Sequence, residues 1–505
     1  MPKVDVPDAV VAAVGADEPP SLHPLHQLHD PATIRLRCAA ILRSVDEGVS
    51  PSFTVDRSRL DAAAERVAAL TLRRYPDLRI PYHSRWRHFE AGGVDRKAQL
   101  DAALAGRGVV EQARARFDLT VVSVLLDAGA GAAWRYAEQQ ALDSAALPRA
   151  GADDLLAALD RSAAKAKAPA AEPAAGADAA AGAAAAATVS DAATVAAAAD
   201  IDSTAALPAA PSGPDLYTRS EGLGVASFRA FMAGAFSSKA GEPWRADAAA
   251  LRHVDAAALR AIFQGSNTNP IVGLEGRAAL LSRLGGALQA EASKSGHEAR
   301  PALIYDRLTA NGTRSQISAT ELLGELLRCL SPIWPSGSKV QGLPAGDVWP
   351  HRWAGTAVAH GAHDRTTEGW VPFHKLSQWM AYSLLEPLQW AGVKVTGLDA
   401  LTGLPEYRNG GLLIDAGVIV PRNPRLLGRM WKPQDEFIIE WRALTVVLLD
   451  ELADRVRTRL GRTAEELPLA CILEGGTWAA GREIARELRP DGSPPLRIDS
   501  DGTVF

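Results

Sequence analysis

Glu406, Tyr407 and Arg408 stand side by side in the stretch GLDALTGLPEYRNGG (397–411), directly after Pro405 and ahead of two glycines. A carboxylate beside a lysine can act as a general acid or base, or stabilise a developing cation. A neighbouring arginine lowers the pKa of such an acid or holds a phosphate. The lysine is available. Lys375 lies in the first turn of a helix that opens with Pro372 and runs to about Trp390 in WVPFHKLSQWMAYSLLEPLQWAGVKVTG (370–397), 31 residues before Glu406 (406 − 375), which leaves room for the chain to double back. Each feature also has a plainer reading. LPEYRNGG reads equally as a salt-bridged turn before a strand, and a lysine in a first helical turn, disfavoured by the helix dipole, is commonly just solvated.

Three further clusters carry reactive side chains. HSRWRHFEAGG (83–93) holds Arg85, Arg87 and Glu90 with two histidines. Paired arginines suit bidentate capture of phosphate, while the same pattern describes an arginine-rich turn fixed by tryptophan packing. His83 and His88 are five apart, which is not the helical spacing of a zinc-binding pair. His351, His360, His363 and His374 could be imagined around one metal ion, but their spacing is irregular and the segment between them is loop-like. In ILEGGTWAAGREIA (472–485), Gly475 and Gly476 precede a helix whose free N–H groups could bind an anion. Trp478 there either stacks on a base or fills the core.

The elements that must position these residues are mostly helical. Apolar residues recur at three and four over parts of 30–146 and over 246–263, 272–291, 318–330, 373–390 and 435–460. Strand signals are short: GLLIDAGVIV (411–420) and the C-terminal PPLRIDSDGTVF. The fold class expected is mainly α, a single large helical domain with a few short strands. Residues 1–29 read as a flexible N-terminus, 30–146 as an N-terminal helical part and 215–505 as a C-terminal helical part carrying the site. Residues 147–214 are alanine-rich and lack large apolar side chains, so they read as a flexible insertion between parts that pack as one unit.

Bulk properties exclude several classes. With 22% charged residues and a net charge of −5, the chain has no basic field to draw nucleic acid. Cys38, Cys329 and Cys471 are odd in number and far apart, so a disulfide framework or zinc knuckle is not expected. The N-terminus carries acids and prolines where a secretory signal has a basic start and an apolar core. No run reaches the roughly 20 apolar residues that span a bilayer. The expectation is a cytoplasmic protein that binds a small molecule, without membrane, nucleic acid, metal or cofactor.

Long phrases of the chain resemble a uracil-catabolism family: HSRWRHFE, RFDLTVVSVLLDAGAGAAWRY, GLGVASFRAF, WVPFHKLSQWMAYSLLEPLQWAGVKVTGLDALTGLPEYRNGGLLIDAG, EWRALTV and ILEGGTWAAGREIA. The resemblance covers nearly everything outside the alanine-rich segment. It implies a place in a pyrimidine-degradation route in which ring opening of a uracil nucleoside or nucleotide leads to urea. The order VPFHKLSQW, LPEYRNGGLLIDAGVI, EFIIEWRALTV is similar, more distantly, to queuosine 5′-phosphate N-glycosidases. That resemblance implies an all-helical fold related to helix-hairpin-helix DNA glycosylases. It places Lys375, Glu406, Tyr407, Arg408, Glu440 and Arg442 on the positions of that family's motifs, with Glu in place of Asp and NGG in place of a VPQ-like segment.

The function so implied is N-glycosidic cleavage of a ribosylurea, or its 5′-phosphate, to urea and ribose or ribose phosphate. Glu406 and Lys375 would be catalytic. Tyr407, Arg408, His374, Asp399, Arg85, Arg87, Glu90 and Trp478 would contact the substrate. Two alternatives stay open: a metal-dependent amidohydrolase acting on the ureido group, and a non-catalytic protein that binds a nucleoside derivative.

Overall fold

The computed structural model describes residues 24–127, 129–131, 133–139, 216–334, 338–359 and 362–499. The first 23 residues, the alanine-rich 147–214, His360 and the last six residues lie outside the described residues. The fold is mainly α, and its strands are two or three residues long and paired in twos. Among the described residues, no helix is long and apolar enough to cross a membrane.

The helix Glu436–Leu460, called here the spine helix, is the longest. Its 25 residues contain neither proline nor glycine, and it stops at Gly461 in the left-handed conformation that glycine adopts freely. It spans about 37 Å. Apolar residues on all sides of its first half, including Ile438, Ile439, Trp441 and Leu444, are buried, as a helix enclosed by others requires. It packs against helices Pro31–Asp46 and Leu60–Arg74.

The lysine helix, Lys375–Trp390, lies against helix Val109–Leu125 and is buried along most of its length. Pro387 sits inside it and has no N–H to give the Ser383 carbonyl one turn back. The indole Nε1–H of Trp86 donates to that carbonyl instead, at 3.0 Å, so the oxygen is not left unpaired.

The stretch 411–420, expected as a strand, divides differently. Residues Tyr407–Asp415 form a helix, and only Ile419–Pro421 is a strand, paired antiparallel with Phe53–Val55. Periodicity does not separate helix from strand over so short an apolar run. Packing decides it. Gly410 lies where a Cβ would run into the Trp441 ring, and Gly481, on the adjoining helix Trp478–Leu488, where a Cβ would run into the Arg408 carbonyl. These glycines let two helices and the spine approach closely. At the C-terminus, Arg497–Ile498 pairs in parallel with Met430–Trp431.

One core cluster runs from Leu42 to Ile498 and includes Phe117, Trp134, Phe228 and Leu385, so residues before and after the alanine-rich segment share it. Strands Tyr136–Ala137 and Leu216–Tyr217 pair antiparallel, so described residues on either side of that segment meet.

Asp347 joins three elements. Its carboxylate receives both Arg442 Nη atoms of the spine helix at 2.7 Å, the Trp349 indole N–H at 2.6 Å and the backbone N–H of Lys375 at 3.0 Å. Its carbonyl accepts the Phe373 and His374 N–H groups. His374 stands in the left-handed region (φ 49°) and offers no side-chain cap, so Asp347 caps the lysine helix from outside. Burial opposes ionisation of Asp347, but the Arg442 guanidinium outweighs it and lowers the pKa below the usual aspartate value.

Two stability predictions follow from this packing. Asp347→Ala removes the carboxylate that receives both Nη atoms of the wholly buried Arg442 and is expected to cost about 3–5 kcal/mol in chemical denaturation. The Asp347 contribution is complete above the ordinary aspartate pKa and is lost as pH falls through the lowered folded value, so the gap between wild type and variant should narrow in acid. Gly481→Ala should cost about 1–3 kcal/mol. A melting temperature unchanged within error would show that the helices separate freely at that contact.

Candidate functional site

Glu406 is buried, in extended backbone at the start of the helix Tyr407–Asp415. Its Oε2 accepts the Arg408 N–H at 2.9 Å and its Oε1 accepts the Asn409 N–H at 2.7 Å. The acid on the tight turn is therefore the helix N-cap, with an anion at the positive end of the dipole. The residues around it hold the turn. Asn409 Nδ2 donates to the Leu404 carbonyl and Asn409 Oδ1 accepts from Thr477 Oγ1. The Pro405 carbonyl receives Arg442 Nε at 3.4 Å.

Lys375 lies at the first position of the lysine helix. Among the described residues its ammonium makes no hydrogen bond or ion pair. Enclosure lowers its pKa from the ordinary 10.5. The charges of Glu406, Asp127 and Asp347 oppose that shift, and Arg442 adds to it. The sequence-predicted pair of Lys375 and Glu406 is thus brought within electrostatic reach, with two further carboxylates that the sequence reading did not single out.

Asp127 follows the helix Val109–Leu125 by two residues, and its partner is Arg85 at 3.0 Å. Arg85 is fully buried on the short helix Arg85–Phe89. It also donates to Ser123 Oγ at 2.7 Å and the Ser220 carbonyl at 3.2 Å, and meets His88 Nδ1 at 3.1 Å. A guanidinium only donates, so His88 Nδ1 accepts and the ring proton sits on Nε2. Burial and then the Arg85 charge push the His88 pKa down to about 3, which keeps the ring neutral. Trp379, one turn beyond Lys375, lies edge-on to the His88 ring and beside the Arg85 guanidinium. Burial opposes the charge of Asp127, but the Arg85 guanidinium, with Lys375 further off, outweighs it and lowers the pKa below the usual aspartate value.

The other predicted contacts do not gather at Lys375. Arg87 pairs with Glu90 and with Glu386, eleven residues along the lysine helix and about 16 Å of rise from Lys375. Glu90 is exposed. The Arg408 guanidinium donates to the Gly492 carbonyl, while its backbone N–H donates to Glu406. His374 points to the N-terminal segment, where its Nε2–H donates to the Leu28 carbonyl and its ring lies edge-on to His29. Asp399 is exposed on its own turn, within reach of Arg35. Trp478 stacks under Arg482 and lies near His83. Tyr407 is half-buried at the first position of its helix.

The histidines considered for a metal have separate surroundings. His351 faces Glu440 at 3.8 Å, His363 bonds Thr356, and His374 bonds Leu28. Among the described residues, no group of three His, Cys, Asp or Glu side chains could hold a metal ion.

Sequence reading missed Asp127 and Asp347. Both lie in stretches rich in signal. Asp127 is the acid that ends the apolar run LTVVSVLLD, at the helix end whose dipole repels a carboxylate, and that misplacement was the available clue.

A family model described as "Protein of unknown function (DUF1688)" matches residues 27–150 and 181–505. "Protein urg3" of Schizosaccharomyces pombe is 34% identical over 480 residues, covering 94% of this chain and 96% of that protein. "Uracil catabolism protein 4" of Lachancea kluyveri is 31% identical over 487 residues, covering 91% and 93%. Lys375, Glu406, Asp127 and Asp347 all fall within the matched residues, and the chain belongs to the DUF1688 family.

Proposed function

We propose that this protein acts in uracil catabolism as an N-glycosidase-type hydrolase, cleaving a ribosylurea or its 5′-phosphate to urea and ribose or ribose phosphate. The name of the Lachancea kluyveri relative supports the pathway, and the resemblance of the chain's phrases to queuosine-salvage glycosidases supports the reaction type. The observation that carries the chemistry is a lysine whose ammonium makes no hydrogen bond or ion pair among the described residues, held within electrostatic reach of Glu406, Asp127 and Asp347.

Cleaving the bond from the anomeric carbon to nitrogen builds positive charge on the sugar, which a fixed anion nearby stabilises. Glu406 suits that role. Its two oxygens are held by backbone N–H groups, so it need not reorganise as charge develops. As the C1′–N bond breaks, its electron pair goes to the ureido nitrogen, which takes a proton from the Lys375 ammonium. Water supplies the new C1′–O bond. A lowered pKa makes the lysine a better proton donor near neutrality.

Purified protein incubated with synthetic ribosylurea, with and without 5′-phosphate, should release urea and free sugar in equal amounts. Glu406→Gln and Lys375→Met should each lower kcat by about 100-fold or more. Replacing the cap at Glu406 should destabilise the fold by only about 1 kcal/mol, which a melting curve separates from lost chemistry. Full activity of Glu406→Gln, or ammonia and carbon dioxide in place of urea, would sink this reading. The alkaline limb of kcat should fall below 10.5, because the proton donor is lost as pH rises through the lowered Lys375 value.

A further inference from the structure

We infer that Asp127 is a catalytic residue, the base that takes the proton of the attacking water. The inference rests on the N-glycosidase reading and completes its proton balance. Water forms the C1′–O bond and passes one proton to Asp127, while Lys375 gives one to the departing nitrogen. The proton then returns from Asp127 to Lys375 through solvent.

Three observations carry it. First, the oxygens of the two carboxylates near Lys375 are committed differently. Both Glu406 oxygens accept backbone N–H groups, whereas Asp127 accepts no hydrogen bond of good geometry among the described residues. Its one partner is the Arg85 guanidinium, and its side chain is 10% exposed. Asp127 therefore keeps more of its lone pairs open to a water than Glu406 does.

Second, stability does not account for where the ions stand. Asp127 lies beyond the C-terminal end of helix Val109–Leu125, and Lys375 lies at the N-terminal end of its own helix. Each occupies the helix end whose partial charge has the same sign as its own, a placement that costs about 0.3–1 kcal/mol. Two such placements facing one another describe a site in which a donor and an acceptor are kept apart until something sits between them.

Third, buried donors beside Asp127 lack partners. Arg85 Nη2 and Trp379 Nε1 make no hydrogen bond among the described residues, although Arg85 is fully buried and Trp379 is 5% exposed. Buried polar groups are nearly always paired, so these N–H groups call for acceptors that arrive with a ligand. The Nε2–H of neutral His88 is a third donor in the same cluster. Sugar hydroxyls and a ureido carbonyl are acceptors of this kind.

The test compares wild type with Asp127→Asn and Asp127→Gly in the urea assay. Asp127→Asn should lower kcat by about 100-fold or more with KM little changed. It should also lose the acidic limb of the kcat profile. That limb belongs to a group facing Arg85, His88, Lys375 and Arg277, of which His88 stays neutral and the two arginines stay charged around neutrality. Added formate should restore part of the activity of Asp127→Gly, a result that a merely structural role would not produce. Activity of Asp127→Asn within threefold of wild type overturns the inference and leaves the glycosidase reading in place. So does a loss in both variants that formate does not rescue and that parallels a loss of folded protein in circular dichroism. A wild-type protein that releases no urea from either compound overturns both.

Discussion

The bidentate pair between Asp347 and Arg442 is the constraint around which this molecule is arranged. Arg442 projects from the buried middle of the spine helix, where an unpaired guanidinium could not be tolerated. Asp347 satisfies it and uses the same carboxylate to cap the lysine helix. Arg442 also reaches the Pro405 carbonyl, one residue before Glu406. A single ion pair thus ties the start of the lysine helix to the turn carrying the acid. Its value is geometric. Buried pairs add little net stability over apolar packing, but they accept only one register.

Around that pair, opposite charges alternate. Arg442, Lys375 and Arg85 stand against Asp347, Glu406 and Asp127. Most of these charges are committed, Arg442 to Asp347 and Arg85 to Asp127, while Glu406 is held by the backbone. Among the described residues, the Lys375 ammonium makes no hydrogen bond or ion pair. A site built this way holds its dipoles fixed before a ligand arrives, which is how an enclosed polar site stabilises developing charge without rearranging. The neutral His88 fits the same pattern, since a charged ring beside Arg85 would be repelled.

Much of this was legible in the chain, and the reasons for the misses are particular. The lysine helix could be read because its apolar period is strong and glycine follows it at Gly392. The turn at 397–411 stood out because an acid, an aromatic and an arginine rarely share so short a segment. The strand expected over 411–420 was instead largely helix, because Glu406 caps it and glycine contacts with Trp441 and Pro495 hold it, none of which periodicity records. Arg408, Arg87 and Asp399 were grouped with Glu406 or Lys375 on residue type. Their partners turned out to be Gly492, Glu386 and the neighbourhood of Arg35.

The sequence by itself determined that this is a mainly helical protein of the DUF1688 family, and it singled out Lys375 and Glu406 as a pair. Local period, helix-stop residues and long shared phrases are written along the chain, so they can be read from it. Tertiary structure alone decided which carboxylates join that site and which arginines leave it. Asp127 and Asp347 come from segments 220 residues apart (347 − 127), and nothing local to either states that they converge on one lysine. A side chain's chemistry is a property of its residue, whereas its charge state and its partners are properties of the surroundings that burial assembles.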